Sequence, residues 1–251
     1  MVISRLKRLA RDYLPRRILI VLFKINDALV ERSLEYRRFV DADNESRAKS
    51  SALPGVDNAL TRYFDLVLNF DHRNPVAIDC AHNIFVIGSV LSKKPRNLLE
   101  LGVGSGYLTL SLLHALKYNG IGQLTSVDNW FDTHGLEPKV GSQLRAAGAN
   151  VVCSSEKDFV VNAPTDAYDF LISDADHHHS AEWLDQHLRI VEHNGFIFFH
   201  DTNQPGEFPG LATIEARVKE LGIPFYHFKE SSRTDENCNR GLLFVINKKG
   251  N

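Results

Sequence analysis

The stretch Asn97-Leu-Leu-Glu-Leu-Gly-Val-Gly-Ser-Gly-Tyr107 decides the fold. Asn97–Leu101 reads as a short apolar strand, and a helical pattern follows at Gly106–Tyr118. Between them, Gly102, Gly104 and Gly106 let the backbone turn sharply and approach a ligand with no Cβ in the way. The spacing is GxGxG, unlike the GxGxxG turn of dinucleotide binders. The next strand, Gln123–Val127, runs into Asp128. An acid at that tip, about twenty residues past the glycines, suits two adjacent ribose hydroxyls, because one carboxylate accepts from both. Further along, helices are expected at Glu137–Ala147, Ala181–Val191 and Leu211–Leu221. Strands are expected at Asn150–Ser154, Asp169–Ser173, Phe196–His200, Phe225–Phe228 and Gly241–Ile246. This alternation predicts an α/β fold with a doubly wound sheet, parallel for most of its strands.

Upstream of the glycine turn the pattern is helical, at Asp57–Asn69 and Pro75–Leu91, and Ser92-Lys93-Lys94-Pro95 closes the second segment. Asp41 to Gly55 is polar, ends in Pro-Gly and reads as a linker. The chain therefore divides into a helical basic extension, 1–55, and one domain, 56–251. Before Ile25 the extension sets Arg5, Lys7, Arg8, Arg11, Arg16, Arg17 and Lys24 against a single acid, Asp12. Apolar residues from Val2 to Leu14 recur at helical spacing, and Pro15 interrupts them. Two readings stand: an amphipathic helix on an anionic membrane surface, or a helix packed on the domain or on a second subunit, as in a homodimer.

With 251 residues, 43% of them hydrophobic, the chain suffices for one full α/β domain and a short extension. A net charge of -2 gives no global basic field, and no aromatic and basic residues interleave, which excludes nucleic acid as a partner. Cys80, Cys153 and Cys238 are widely spaced and form neither a disulfide framework nor a zinc motif, so a reducing, cytoplasmic setting is expected. No run approaches the roughly 18 apolar residues of a transmembrane helix.

Residues 96–130 resemble the first two cofactor motifs of the class I S-adenosylmethionine-dependent methyltransferases, and the similarity extends through residue 247. The resemblance implies a seven-stranded sheet with S-adenosylmethionine at the carboxyl ends of its strands. It places Gly102 and Gly104 along the methionine side, with Gly106 opening the helix behind them. It gives Asp128 the ribose, sets Trp130 near the adenine and brings Ser155 to the adenine edge. Glu100, just before the glycines, is expected either to hold the loop's amides or to face the cationic methionine end.

A second constellation follows the fourth and fifth strands, in Ser173-Asp-Ala-Asp-His-His-His179 and Phe199-His-Asp-Thr-Asn203. These tips are neighbours in a doubly wound sheet, so Asp174 and Asp201 share one rim. Two carboxylates facing one point repel unless a cation or proton intervenes, and a hard divalent ion such as magnesium satisfies them. The pair resembles the metal-dependent O-methyltransferases of the catechol and caffeoyl-coenzyme A type, and more closely a bacterial branch acting on sugars and antibiotics. That resemblance implies Asp174 and Asp201 as metal ligands. Thr202 stands where the family has Asn, which leaves the third ligand between Thr202 and Asn203. His177 replaces the family's catalytic lysine, and as a neutral imidazole it is expected to take the proton of an acceptor hydroxyl. His200 is expected to be a strand-end residue rather than a ligand, and Asp174 has a plain alternative as a helix cap. The expected reaction is methyl transfer to a hydroxyl of a sugar-like or natural-product small molecule. A metal-free N- or O-methyltransferase and a non-catalytic binding protein are the alternatives. Acceptor contacts are expected from Asp79–Asn83, His134 and the 204–210 loop, with 231–240 as a lid.

Overall fold

The computed structural model describes residues 80–104, 106–130, 137–203, 208–229 and 240–248. The basic extension, the linker, the helix expected at 57–69, His134 and most of the 204–210 and 231–240 loops lie outside the described residues.

Helix α1 (Cys80–Lys93) leads into β1 (Asn97–Leu101), α2 (Tyr107–Asn119), β2 (Gln123–Asp128), α3 (Glu137–Ala147) and β3 (Asn150–Cys153). Then come α4 (Glu156–Asn162), β4 (Tyr168–Ser173), a 3-10 turn (Ser180–Trp183), α5 (Leu184–Ile190) and β5 (Val191–His200). Helices α6 (Pro209–Ala212) and α7 (Ile214–Glu220) precede β6 (Phe225–Phe228) and β7 (Leu242–Ile246). The strands form one seven-stranded sheet in the order β3-β2-β1-β4-β5-β7-β6. All pairings are parallel except those of β7, which runs against β5 and β6. The expected sheet is thus present. Strand β1 sits between β2 and β4, so chain direction reverses across the sheet there and a crevice opens at the strand tips.

Strand alternation splits the core into two layers. Leu98, Phe170 and Phe198 pack with Val86, Val90, Leu108 and Leu112 on one face. Leu99, Leu171, Ile197 and Phe199 pack with Leu184, Ile190 and Ile214 on the other. Both faces are covered, so the central strands are mostly apolar, with Glu100, Ser126 and Ser173 as buried polar exceptions. Each such side chain contributes about 1.5–3 kcal/mol on burial.

The departures from expectation have local causes. Helix α4 was not expected; Ser155 starts it, its Oγ accepting from the Asp158 N–H at 3.1 Å and donating to Asp158 Oδ2 at 2.7 Å. Ser155 is thus a side-chain N-cap whose hydroxyl is itself held by Asp158. The helix expected at Ala181–Val191 stops at Ile190, because the Asn247 amide donates to the carbonyls of Leu188, Val191 and Glu192, at 2.9, 2.7 and 3.3 Å, and turns the chain into β5. The helix expected at Leu211–Leu221 is divided at Thr213.

The tips of β1 and β4 are held closer than the pairing alone requires. The Asp174 N–H donates to the Leu101 carbonyl at 2.7 Å. Gly102, at φ 90°, lies where an added Cβ would stand 2.1 Å from the Asp174 carbonyl oxygen. Gly102→Ala therefore meets both a left-handed backbone and a backbone clash. We expect it to destabilise the domain by about 3 kcal/mol, read as a fall in the denaturant midpoint at unchanged slope.

Candidate active site

On the β1–β2 side, Asp128 organises the glycine loop. Its Oδ2 accepts from the Val103 and Gly104 amides, both at 2.8 Å, and its Oδ1 from the Trp130 amide at 2.5 Å. Trp130 adopts a left-handed backbone, φ 47°, and its indole Nε1–H donates to the Gly104 carbonyl at 3.2 Å. The ring is buried against the turn that bears Gly104. Glycine loop, strand-tip acid and Trp130 thus form one hydrogen-bonded unit.

Glu100 does not hold the loop's amides; Asp128 does. Strand alternation turns Glu100 to the face covered by α2, where it accepts from Thr109 Oγ1 at 3.0 Å and from Ser126 Oγ at 2.6 Å. It is buried, and loss of solvent pushes its carboxyl up to about 8 against those two hydrogen bonds. Ser155 sits at the tip of the neighbouring strand, with its hydroxyl engaged in the α4 cap.

On the β4–β5 side, Asp174 and Asp201 meet around two imidazoles. His177 Nε2 lies 3.3 Å from Asp174 Oδ1 and 3.2 Å from Asp201 Oδ2. His200 Nδ1 lies 3.2 Å from Asp174 Oδ1 and 3.1 Å from Asp201 Oδ1. Arg240 Nη1 donates to both oxygens of Asp201, at 3.3 and 3.1 Å. Asp201 is buried, whereas the Asp174 side chain is 24% exposed and faces the crevice. Burial works against both carboxylates, yet the imidazoles outweigh it and hold each well below the usual range. Burial likewise lowers His177, but the two acids overcome it and push the ring up to about 10. His200 is raised for the same reason, led by Asp201.

The geometry bears on two expectations. Two carboxylates face His177 Nε2, which favours the charged form of the ring over the neutral base expected from the sequence. Thr202 is turned away: its Oγ1 lies 2.8 Å from His227 Nε2, and His227 Nδ1 lies 2.7 Å from Glu215 Oε2. The Asn203 amide donates to the Lys229 carbonyl at 3.2 Å. The third group beside the acids is instead His177; donor atoms of Asp174, His177 and Asp201 all lie within 4.8 Å of one another.

Sequence reasoning missed Arg240 and gave His200 no role. Consecutive strand residues point to opposite faces, so His200 and Asp201 were not expected to converge. The left-handed backbone at Asp201, φ 58°, folds its carboxylate back onto the preceding ring. Arg240 arrives from 39 residues away along the chain, with no local signal. Around the cluster, Phe208 lies over the His177 ring at 4.6 Å, and His82 of α1 meets His200 edge-on at 5.4 Å. Those contacts put Phe208 and His82 beside the acids.

Residues 99–202 match a family model described as a methyltransferase domain. Those residues are similar to that domain over 99–202. The class read from the glycine loop is borne out, and so is the fold. Among solved structures, TomG, an O-methyltransferase of Streptomyces achromogenes in complex with S-adenosylmethionine, superposes at a TM-score of 0.54 and 14% identity, over 83% of this chain and 98% of its own. An O-methyltransferase of Bacillus cereus gives 0.54 and 14%, over 83% and 99%. A Podospora anserina methyltransferase gives 0.54 and 14%, over 83% and 96%. At such identities the likeness is one of fold. No curated protein matches the chain. Among the described residues no helix is long and apolar enough to cross a membrane.

Proposed function

We propose that this methyltransferase domain moves a methyl group from S-adenosylmethionine to a hydroxyl of a small molecule, sugar-like or of natural-product type. The observation that carries the reading is the pairing, on one rim, of the Asp128-held glycine loop with the Asp174–His177–Asp201 cluster, joined through the Asp174 N–H to Leu101 contact. When bound, S-adenosylmethionine supplies a sulfonium methyl whose departing sulfur keeps the bonding electron pair. Asp128 holds the ribose hydroxyls, Gly102 and Gly104 line the methionine end, and Trp130 and Ser155 border the adenine. Glu100 braces β1 to α2 beneath them. Asp174 accepts the hydrogen bond of the acceptor hydroxyl and orients its oxygen toward the methyl group, which is most of what such a transfer requires. His177 and His200 keep Asp174 ionised as that hydrogen-bond acceptor, and the released proton leaves to solvent past its part-exposed side chain.

Asp174, His177 and Asp201 also fit a divalent cation, with two carboxylates and one imidazole as donors, a set that admits nitrogen-tolerant ions as well as magnesium. Held there, such an ion would acidify the acceptor hydroxyl. Loading it requires His177 to release its proton. A second, metal-free reading draws on the charges in place: His177, His200 and Arg240 already neutralise the two acids.

Calorimetric titration after chelation tests these readings. S-adenosylmethionine is expected to bind in the micromolar range. A divalent cation is expected to give heat in the wild type that disappears in Asp174→Ala. Cofactor binding without cation heat selects the metal-free reading. Absence of cofactor binding in either condition overturns the proposal.

A further inference from the structure

Among the described residues outside the acid cluster, the buried side chain of Glu156, the first residue of α4, gathers four hydrogen bonds. Its Oε1 takes up Ser173 Oγ at 2.8 Å, Ser180 Oγ at 2.9 Å and His187 Nε2 at 2.8 Å, and its Oε2 accepts from the Asp176 N–H at 2.9 Å. The residue is 5% exposed. Desolvation opposes its charge, but these donors, led by His187, hold it below the usual carboxylate range. The first turn of a helix adds to the preference for an anion.

The partners fall into two groups. Ser180 and His187 belong to the 3-10 turn and α5, and bonds to them knit one layer of the core. Ser173 and Asp176 stand on either side of Asp174. A single carboxylate thus takes the hydroxyl just before Asp174 and the amide two residues after it. Asp176 in turn accepts from the amides of His178 and His179, at 3.2 and 3.1 Å. The hold therefore continues into the turn that bears His177. With the Asp174 amide fixed on Leu101, the segment is tied at Ser173, Asp174 and Asp176.

We infer that Glu156 is a positioning residue, bracketing the 173–176 backbone so that the Asp174 carboxylate and the His177 ring meet Asp201. The inference rests on the reading of Asp174 and His177 as the acceptor-side groups. Glu156 touches neither cofactor nor acceptor in that reading; it acts through the loop.

The test is nuclear magnetic resonance on the full chain with chelator and without cofactor or acceptor. The readouts are the exchange rate of the Asp176 amide and the ring-nitrogen shifts of His177. In Glu156→Gln an NH2 replaces one oxygen, so a donor meets either the Asp176 N–H or the three donors on Oε1. Asp176 exchange is expected to rise at least about tenfold, and the His177 shifts to move. His187→Leu removes one donor on the core side only. It is expected to lower the melting temperature while both loop readouts stay at their wild-type values. Should Glu156→Gln not fold, two milder variants divide the network in the same way: Ser173→Ala moves the His177 shifts and Ser180→Ala does not. His177 shifts that stay put in folded Glu156→Gln, or in Ser173→Ala, overturn the inference. So do shifts that move as far in His187→Leu or Ser180→Ala, since Glu156 would then be a general stabiliser. A failure of the methyl-transfer reading appears separately, as missing cofactor heat, and leaves these readouts intact.

Discussion

Asp128→Ala weakens S-adenosylmethionine binding by at least about a hundredfold, the equivalent of two charge-assisted hydrogen bonds. The effect has two sources. The carboxylate is the acceptor for the ribose hydroxyls in the proposed complex, and it fixes the loop, since Val103 and Gly104 donate to one of its oxygens and Trp130 to the other. Alanine leaves those amides to water and frees the turn that carries Trp130. Asp128→Asn separates the two sources. Its one carbonyl oxygen keeps an acceptor for the loop, while its NH2 cannot accept a hydroxyl, so an intermediate loss of about tenfold is expected. The measurement is calorimetric affinity for each variant, with a melting curve to show that the sheet is intact. Binding by Asp128→Ala within a few-fold of wild type would remove the strand-tip acid from the cofactor site.

His177→Gln produces the second large effect, and its sign depends on pH. The folded ring is raised to about 10 from an ordinary value of 6.5. Below the ordinary value both folded and unfolded chains carry the proton, and the contact with the acids stabilises the fold in full. As pH rises from there toward 10 the unfolded chain gives up its proton first, and that stabilisation drains away. Asp174 and Asp201 behave oppositely. Their folded values are depressed, so their contribution is present above about 4 and is lost only as pH falls through the folded values. The expected result is a cost of about 3 kcal/mol for His177→Gln near pH 6, because the buried Asp201 and the part-exposed Asp174 lose a shared cation. The cost shrinks steadily toward pH 10. The readout is the difference between wild-type and variant stability across that window, in chelator, so that other titrating groups cancel. A difference that stays constant with pH would show that His177 is not held protonated by the pair. At neutral pH the same variant is expected to lose methyl transfer by about a hundredfold or more, measured with any accepted hydroxyl compound.

The acid cluster shows how chain order and space diverge in this site. Asp174 and Asp201 were legible because both follow apolar strands, and strand tips in a doubly wound sheet lie together. The group that joins them was legible only as a nearby imidazole. Whether a histidine is neutral depends on how many carboxylates reach one nitrogen, and that number is a distance property. Thr202 looked like a ligand because it follows Asp201. It is instead drawn to His227, which arrives on an edge strand 25 residues later.

The sequence by itself determined the architecture. Period-2 apolar runs separated by helical ones leave few arrangements that bury both faces of a sheet, and the glycine turn with its strand-tip acid marks where the ligand crevice must open. It also determined which residues stand at each strand tip, since pleat and pairing carry that information along the chain. Only the tertiary structure decided what those residues do to one another. The left-handed turn at Asp201 brings His200 round, Arg240 comes in across 39 positions, and Glu156 reaches both sides of Asp174 from another helix. Charge states and hydrogen-bond partners are set by approaches of three ångströms between segments far apart in the chain, and no local periodicity encodes them.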